Sequence, residues 1–357
     1  MDAASEEIPY ISGDKEGKGN CLLRDGDIII ADTAEDETVG KATEIVNIGT
    51  QKIVSGLHTI ACHPTIEMAH TYLGFYINSE KYHSQLYSLM QGVKVLSISK
   101  SNIEGTVIRY PCFTEQKKIC TLLNLLQNRI AKQHKIIECL KKYKRGVIQA
   151  VFDDEKRDLF GEISSGKQVK LSDLMDFQNG INADASKYGR GIRYISVSDI
   201  LKNNFITYDK IIGQVDIDSR ALATYSVTYG DVLFQRSSET REDAGRSNVY
   251  LDAEKTATFG GFVIRGKKKS DYDPLYLKYA LDSFAVRKQI MQCAAGAQHI
   301  NVSQEDLCNV VVNLPTIDVQ TRISKFISDI DLRITIEEKK TTAQVTLKKA
   351  LLQQLFI

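Results

Sequence analysis

Apolar residues recur along two stretches of this chain in steps of four and three. From Pro111 onward, Ile119, Leu123, Leu126, Ile130, Ile137, Leu140, Val147 and Val151 keep one seam, interrupted by Gln133 and Lys144. From Pro315 onward, Ile323, Ile327, Ile330, Ile334, Leu351 and Leu355 keep another, interrupted by Glu337, Thr341, Gln344 and Lys348. A 3.5-residue period is the a/d seam of a coiled coil. Proline opens each stretch, so the pattern predicts long helices over 113–152 and 316–357. About 40 residues at 1.5 Å each reach roughly 60 Å. A whole domain separates the helices, which makes antiparallel pairing the direct way for the seams to meet.

The two stretches are copies of one another. PCFTEQKKI at Pro111 returns as PTIDVQTRI at Pro315, with nine of 42 positions identical at an offset of 204 and no gap. Gln116/Gln320, Arg129/Arg333, Lys144/Lys348, Gln149/Gln353 and Phe152/Phe356 are among them. That period is too long for a solenoid and marks a duplicated module. The offset also holds outside the helices: Gly26-Asp27 maps to Gly230-Asp231, Gly56 to Gly260, Gly92 to Gly296 and Ser99 to Ser303. At the front it fails, because nothing matches Val169 to Gly191, and Ile8-Pro-Tyr-Ile resembles Ile192-Arg-Tyr-Ile at an offset of 184. The first copy reads as shortened at its N-terminal side.

Ahead of each helix the pattern shifts to short strands and turns. Strands are predicted at Leu23 to Ile30, Gly56 to Cys62, Gly92 to Ile98 and Val107 to Pro111, with a helix over Glu67 to Leu89 broken near Asn78. The second copy predicts an amphipathic segment at Val169 to Phe177 and strands at Ile192, Tyr229 to Phe234, Phe259 to Arg265 and Asn309 to Pro315. It also predicts a helix over Pro274 to Met291. Residues 153–166, charged and rich in Gly and Ser, read as a linker. The fold class is therefore α+β, with mixed domains at 1–112 and 153–315 (linker included) and long helices at 113–152 and 316–357.

Charge is unevenly placed. The net charge is +1, but Thr114 to Arg145 holds nine Lys/Arg against two Asp/Glu. Such an excess suits a phosphate-tracking surface or an acidic partner. Seven cysteines without a CxxC pair suggest reduced thiols. His58, Cys62, His63 and His70 are the one metal-like grouping, in an order that matches no zinc motif and reads as core or surface residues, so no metal is expected. No apolar run or basic leader predicts a membrane contact, and the cytoplasm is the expected compartment.

Catalytic signatures are missing: no Walker lysine loop, GxGxxG after a strand, GxSxG or HExxH. This shifts the reading from catalysis to binding. Arg, Gln and Asn make bidentate contacts with base edges, and Ser or Thr suit phosphates. One loop offers Gln235, Arg236, Ser237, Ser238, Arg241, Arg246 and Asn248; a second offers Gln298, His299 and Asn301; a third offers Lys187, Tyr188, Arg190 and Arg193. Lys15, Lys18, Lys41 and Lys94 are the candidates in the first domain. There the equivalent loop, Ala31 to Gly40, carries Asp32, Glu35, Asp36 and Glu37, acids that would repel phosphates; a truncated or silent gene would explain them, and so would a domain that reads cytosine amino groups.

The Glu115-Gln116-Lys-Lys-Ile119 and Val319-Gln320-Thr-Arg-Ile323 openings, with helix ends at Lys144 to Phe152 and Lys348 to Phe356, resemble the DNA-specificity subunit of Type I restriction-modification systems. Leu171-Ser-Asp-Leu and Tyr229-Gly-Asp-Val-Leu-Phe are similar to its target recognition domains. The resemblance spans essentially the whole chain. It implies a non-catalytic subunit whose two recognition domains each read half of a bipartite, asymmetric site in double-stranded DNA. The helices would form a coiled-coil spacer and a platform for two methyltransferase (modification) subunits, joined by translocase-nuclease (restriction) subunits. Cofactors would belong to those partners: S-adenosylmethionine, ATP and Mg, with none bound by this chain. The competing readings are a coiled-coil protein-interaction scaffold without DNA specificity and a truncated, silent specificity subunit.

Overall fold

A computed structural model describes residues 3–4, 8–9, 22–35, 38–152, 166–296 and 298–356. It comprises two compact units, Met1–Ile136 with Glu337–Ile357, and Ile137–Ile336. Helices and strands are mixed in both, an α+β architecture.

In the first unit the Gly-Asp-strand pattern is a turn that launches a strand. Gly26 takes φ +87°, a left-handed conformation that glycine adopts without a Cβ penalty. Asp27 then closes the turn by accepting the Arg24 N–H at 2.8 Å. The strand β1 (Ile28–Ala31) follows, then β2 (Thr33–Ala34), β3 (Ala42–Glu44) and β4 (Thr59–Cys62). They form an antiparallel sheet in the order β3-β1-β4, with Ile28 opposite Glu44 and Cys62. β2 instead pairs with β5 (Leu96–Ser97). Helices α1 (Tyr72–Ile77), α2 (Glu80–Tyr87) and α3 (Lys100–Glu104) cover the sheet. Ser79 caps α2, accepting from the Tyr82 N–H, and Ser99 caps α3 through the Asn102 N–H.

The first long helix, α4, runs Phe113–Phe152. Its Ile119, Cys120 and Leu123 join Ile28, Ile30, Tyr72, Tyr76 and Leu86 in the core of the first unit, together with Phe356. Burying a side chain of that size stabilises by about 1.5–3 kcal/mol.

The second unit repeats this scheme and adds to it. β6 (Lys167–Lys170), α5 (Leu171–Leu174) and β7 (Met175–Asn179) come first, then β8 (Tyr188–Ile195), α6 (Val197–Lys202), β9 (Gln214–Val215) and α7 (Ser219–Thr224). The repeat proper begins with Gly230 at φ +88° and Asp231, which accepts the Thr228 N–H at 2.9 Å. Burial pushes the Asp231 carboxyl above its ordinary range against these stabilising hydrogen bonds. Next come β10 (Val232–Gln235), β11 (Ser237–Ser238), β12 (Ser247–Val249), β13 (Thr258–Phe259) and β14 (Val263–Lys268). Helices α8 (Pro274–Leu281) and α9 (Phe284–Cys293), β15 (Ile300–Asn301), α10 (Gln304–Cys308) and β16 (Val311–Leu314) lead to the second long helix, α11 (Ile317–Leu355). The main sheet runs β12-β10-β14-β7, and a second sheet, β13-β8-β9, encloses its own core around Ile195, Ile206, Leu233 and Phe259.

The helix seams are packed inside each unit. In the second, Ile137 of α4 meets Ile330 and Ile334 of α11, and Lys144 donates to Asp331 at 2.6 Å. In the first, Gln133 donates to Glu337 and Lys348 donates to Gln127. The polar interruptions of one helix thus meet polar groups of the other.

Several expectations need correction. Val107 to Pro111 is not a strand, whereas its counterpart β16 pairs with β6. Gln85 still brackets Val107, donating to its carbonyl and accepting from its N–H, as Gln289 brackets Val311. Pro274 to Met291 is two helices, because Ser283 interrupts it as Ser79 interrupts the first copy. Both hydroxyls bond back to the carbonyl three residues earlier. The offset is not uniform either. Lys41 and Arg246 play the same backbone role, as do Gly40 and Gly245, so the loop after β10 holds one more residue. The linker at 153–165 and Tyr10-Ile11 lie outside the described residues.

Candidate nucleic-acid interface

The predicted loops of the second unit converge because two short strands tie them. Ser237 and Ser238 of β11 pair with Asn301 and Ile300 of β15, and the Ser237 hydroxyl donates to Asn301 Oδ1 at 2.5 Å. Arg236 is held by backbone bonds on both sides: its N–H donates to Phe262 O at 2.9 Å, and its carbonyl accepts the Val302 N–H at 3.0 Å. Its guanidinium reaches Gly261 O at 3.4 Å and forms no ion pair among the described residues. It is half-buried and available for an acceptor pair such as guanine O6/N7.

Beside it lies a cavity of about 290 Å³ lined by Tyr194, Ser196, Ser198, Ser237, Gly260 and Phe262, among others. Burial, with the Tyr188 hydroxyl beside it, pushes the Tyr194 phenol up to about 12. Tyr188 packs edge-on against Tyr194 at 5.3 Å between ring centroids, which brings the third predicted loop to the same cavity. Phe262 is 67% exposed between buried neighbours. A Cβ at Gly260 would lie 2.1 Å from the Tyr194 hydroxyl, so the turn that projects Phe262 depends on glycine.

Other predicted residues sit around this centre. Gln298, His299, Lys187 and Arg190 are exposed, and Arg190 pairs with Asp216 at 3.2 Å. Arg193 donates to Ile212 O at 3.4 Å and lies 5.9 Å from the Tyr208 ring. Arg241 reaches Met291 O at 3.0 Å, and Arg246 pairs with Asp243 at 3.3 Å. In the first unit Lys41 and Lys94 are exposed, while Lys15 and Lys18 lie outside the described residues.

Three predicted residues are held inward. Asn248 is 1% exposed and donates to Ile200 O at 2.9 Å and Asn203 O at 2.7 Å, its own carbonyl accepting the Val249 N–H. Gln235 is 5% exposed and donates to Ser237 O. Ser238 is buried, its hydroxyl accepting the Thr240 N–H. These side chains shape the loop rather than face solvent. Sequence reasoning passed over Tyr194 and Phe262, although mapping Phe262 by the repeat onto an exposed His58 would have exposed the turn they share.

Among the described residues no three His, Cys, Asp or Glu side chains converge as metal ligands. His63, in the grouping noted from sequence, sits 2.5 Å from Asp27. No helix among the described residues is long and apolar enough to cross a membrane.

Residues 165–347 match the family described as the Type I restriction modification DNA specificity domain, and the chain belongs to that family. Members are non-catalytic DNA-recognition components of type I restriction-modification systems. The chain is similar to two specificity subunits of Methanocaldococcus jannaschii. It is 22% identical to that of type I restriction enzyme MjaVIII, over 76% of this chain and 66% of the relative. It is 23% identical to that of MjaIX, over 80% and 67%. The matched region thus spans about two thirds of each of those relatives. The fold is similar to that of a chain solved in work on assembly and conformational transition of the type I R-M system, with TM-score 0.62, 17% identity and coverage of 100% and 90%. It is also similar to the type I restriction-modification S subunit from M. genitalium, with TM-score 0.56, 13% identity and coverage of 100% and 88%.

Proposed function

We propose that this chain is the DNA sequence-recognition subunit of a cytoplasmic type I restriction-modification complex, reading a bipartite, asymmetric duplex site. The observation that carries this reading is the convergence of Arg236, Ser237 and Asn301 on one face of a unit that falls inside the family match. These groups suit base edges and phosphates. Domains 1–112 and 153–315 are the two target recognition domains, and 113–152 and 316–357 are the helices between and after them. Of the predicted contacts, Arg236, Ser237, Arg241, Arg246, Asn301, Gln298, His299, Lys187, Tyr188, Arg190 and Arg193 form the second reading surface. Lys41 and Lys94 belong to the first.

The helices act as an antiparallel coiled coil that sets the gap between half-sites and docks two methyltransferase subunits. Supporting this, rising numbers on α4 meet falling numbers on α11: Gln127 with Lys348, Gln133 with Glu337, Lys144 with Asp331. S-adenosylmethionine, ATP and Mg are bound by the methyltransferase and restriction subunits of the complex.

The test is selection of bound sequences from a random duplex pool by this chain co-purified with its genomic neighbour methyltransferase. Two short motifs at a fixed gap, with binding that falls steeply as salt rises, are expected. No enrichment, or enrichment insensitive to salt, sinks the reading and favours a protein-docking scaffold.

A further inference from the structure

The repeat places one residue of each unit in the same backbone setting with opposite charge. Asp32 is the single residue between β1 and β2, as Arg236 is the single residue between β10 and β11. The Asp32 N–H donates to His58 O at 3.2 Å and its carbonyl accepts the Ile98 N–H at 2.8 Å. Arg236 makes the same two bonds, to Phe262 O and from the Val302 N–H. Each partner lies at the 204-residue offset. Both side chains are half-buried beside an exposed residue of the facing turn, His58 or Phe262.

We propose that positions 32 and 236 are the equivalent base-reading positions of the two recognition domains, Arg236 taking guanine and Asp32 taking the amino group of cytosine. This rests on the DNA-recognition reading above. The adjoining equivalent position argues for it. Ala31 donates its N–H to Lys41 O at 2.9 Å and Gln235 donates to Arg246 O at 2.7 Å, so Lys41 and Arg246 occupy one place in the scaffold. Both are cations. Phosphates are alike in every half-site, and a residue that meets them keeps its charge sign; bases differ between halves, and a residue that reads them is free to reverse it.

The Asp32 carboxylate suits this role. Its Oδ1 is buried with no hydrogen-bond partner among the described residues and lies 3.8 Å from His58 Nδ1, while the side chain as a whole stays 27% exposed and so keeps one face open. Among the described residues the group is thus held by this long contact with His58, not by short hydrogen bonds such as those that tie Asn248 to Ile200 and Asn203. An ionised carboxylate is acceptor-only, and of the base edges in the major groove it fits the cytosine N4 amino group, whereas a guanidinium fits guanine O6 and N7. Lys41 on the same scaffold supplies the positive charge that offsets repulsion between Asp32 and the phosphates.

The test is the pool selection repeated with Asp32→Asn, Asp32→Arg and Arg236→Ala in the complex with the methyltransferase. Asp32→Asn removes a charge at nearly constant volume, and continued selection of the second half-site reports that the complex is folded. Discrimination for cytosine at one first-half position is expected to fall about 10- to 100-fold, and Asp32→Arg to move it towards guanine. Arg236→Ala is expected to relax a guanine in the other half alone. Two wild-type motifs with every base preference unmoved by Asp32→Asn overturn the assignment while leaving the DNA-recognition reading intact. Equal weakening on all sequences overturns it too, by making Asp32 a phosphate-field residue. A wild-type complex that selects nothing overturns both.

Discussion

Gln133 donates its side-chain amide to the carboxylate of Glu337, its own counterpart 204 residues further along the chain. Glu337 is 3% exposed and also receives Lys340 at 3.2 Å. The two copies of one seam position therefore meet each other. Their shared polarity, visible in both sequences, is a hydrogen bond rather than two independent flaws in an apolar stripe.

Polar seam residues lower stability and specify register. Replacing both, Gln133→Leu with Glu337→Leu, is expected to raise the thermal midpoint, whereas Gln133→Leu alone lowers it by leaving a buried carboxylate short of a donor. Scanning calorimetry of the three proteins checks this. A double variant less stable than the single one would contradict it.

Helix ends are fastened by aromatics. Phe356 packs on Tyr72 at 5.6 Å and on Tyr76 at 5.5 Å, and Phe152 packs on Tyr276 at 5.4 Å. Each phenylalanine is a repeat of the other, and each is buried. Phe356→Ala and Phe152→Ala are each expected to cost about 3–5 kcal/mol in urea unfolding, from lost burial plus a cavity. A loss under about 1 kcal/mol would show that the ends fray without consequence.

Glu44 is 7% exposed and accepts the Thr71 and Gly74 N–H groups at 2.5 and 2.9 Å. Burial dominates and raises its carboxyl above the ordinary 4.5, although the two hydrogen bonds pull the other way. A raised folded value means that the native state binds the proton more tightly than the unfolded chain. The stability this contributes is complete below the unfolded value and is lost as pH rises through the folded one. Carbon-detected NMR titration of the Glu44 carboxyl is expected to show its midpoint above 4.5. A midpoint at or below that value would mean the N–H groups outweigh desolvation.

Helix length sets the gap between half-sites if the coiled coil is the spacer. A heptad inserted after Ile137 and matched on the facing helix after Arg333 adds about 10 Å, or about three base pairs at 3.4 Å each. The selected gap is expected to grow by that amount with both motifs unchanged. An unaltered gap removes the spacer role.

Much of this was legible before any coordinates. A period of 3.5 sustained over 40 residues is a local property repeated ten times, so Pro111, Pro315 and the seam predict long helices over 113–152 and 316–357, where the structure has α4 at Phe113–Phe152 and α11 at Ile317–Leu355. Gly26-Asp27 and Gly230-Asp231 were legible for the same reason, since a turn is closed within four residues. The family followed from the repeated helix motifs.

Tertiary structure decided the rest. Asn248 and Arg236 look alike as candidates in sequence, yet Asn248 turns inward because carbonyls at Ile200 and Asn203, far back along the chain, accept its amide. Val107 to Tyr110 pairs with no strand among the described residues, whereas its repeat is β16, whose ladder is supplied by β6 from far back along the chain. The 204-residue offset already pairs Asp32 with Arg236, but only the bonds to His58 and Ile98 show that the two share one backbone setting. Helix periodicity is written in consecutive residues, whereas strand pairing and loop burial depend on groups that meet only when the chain has folded.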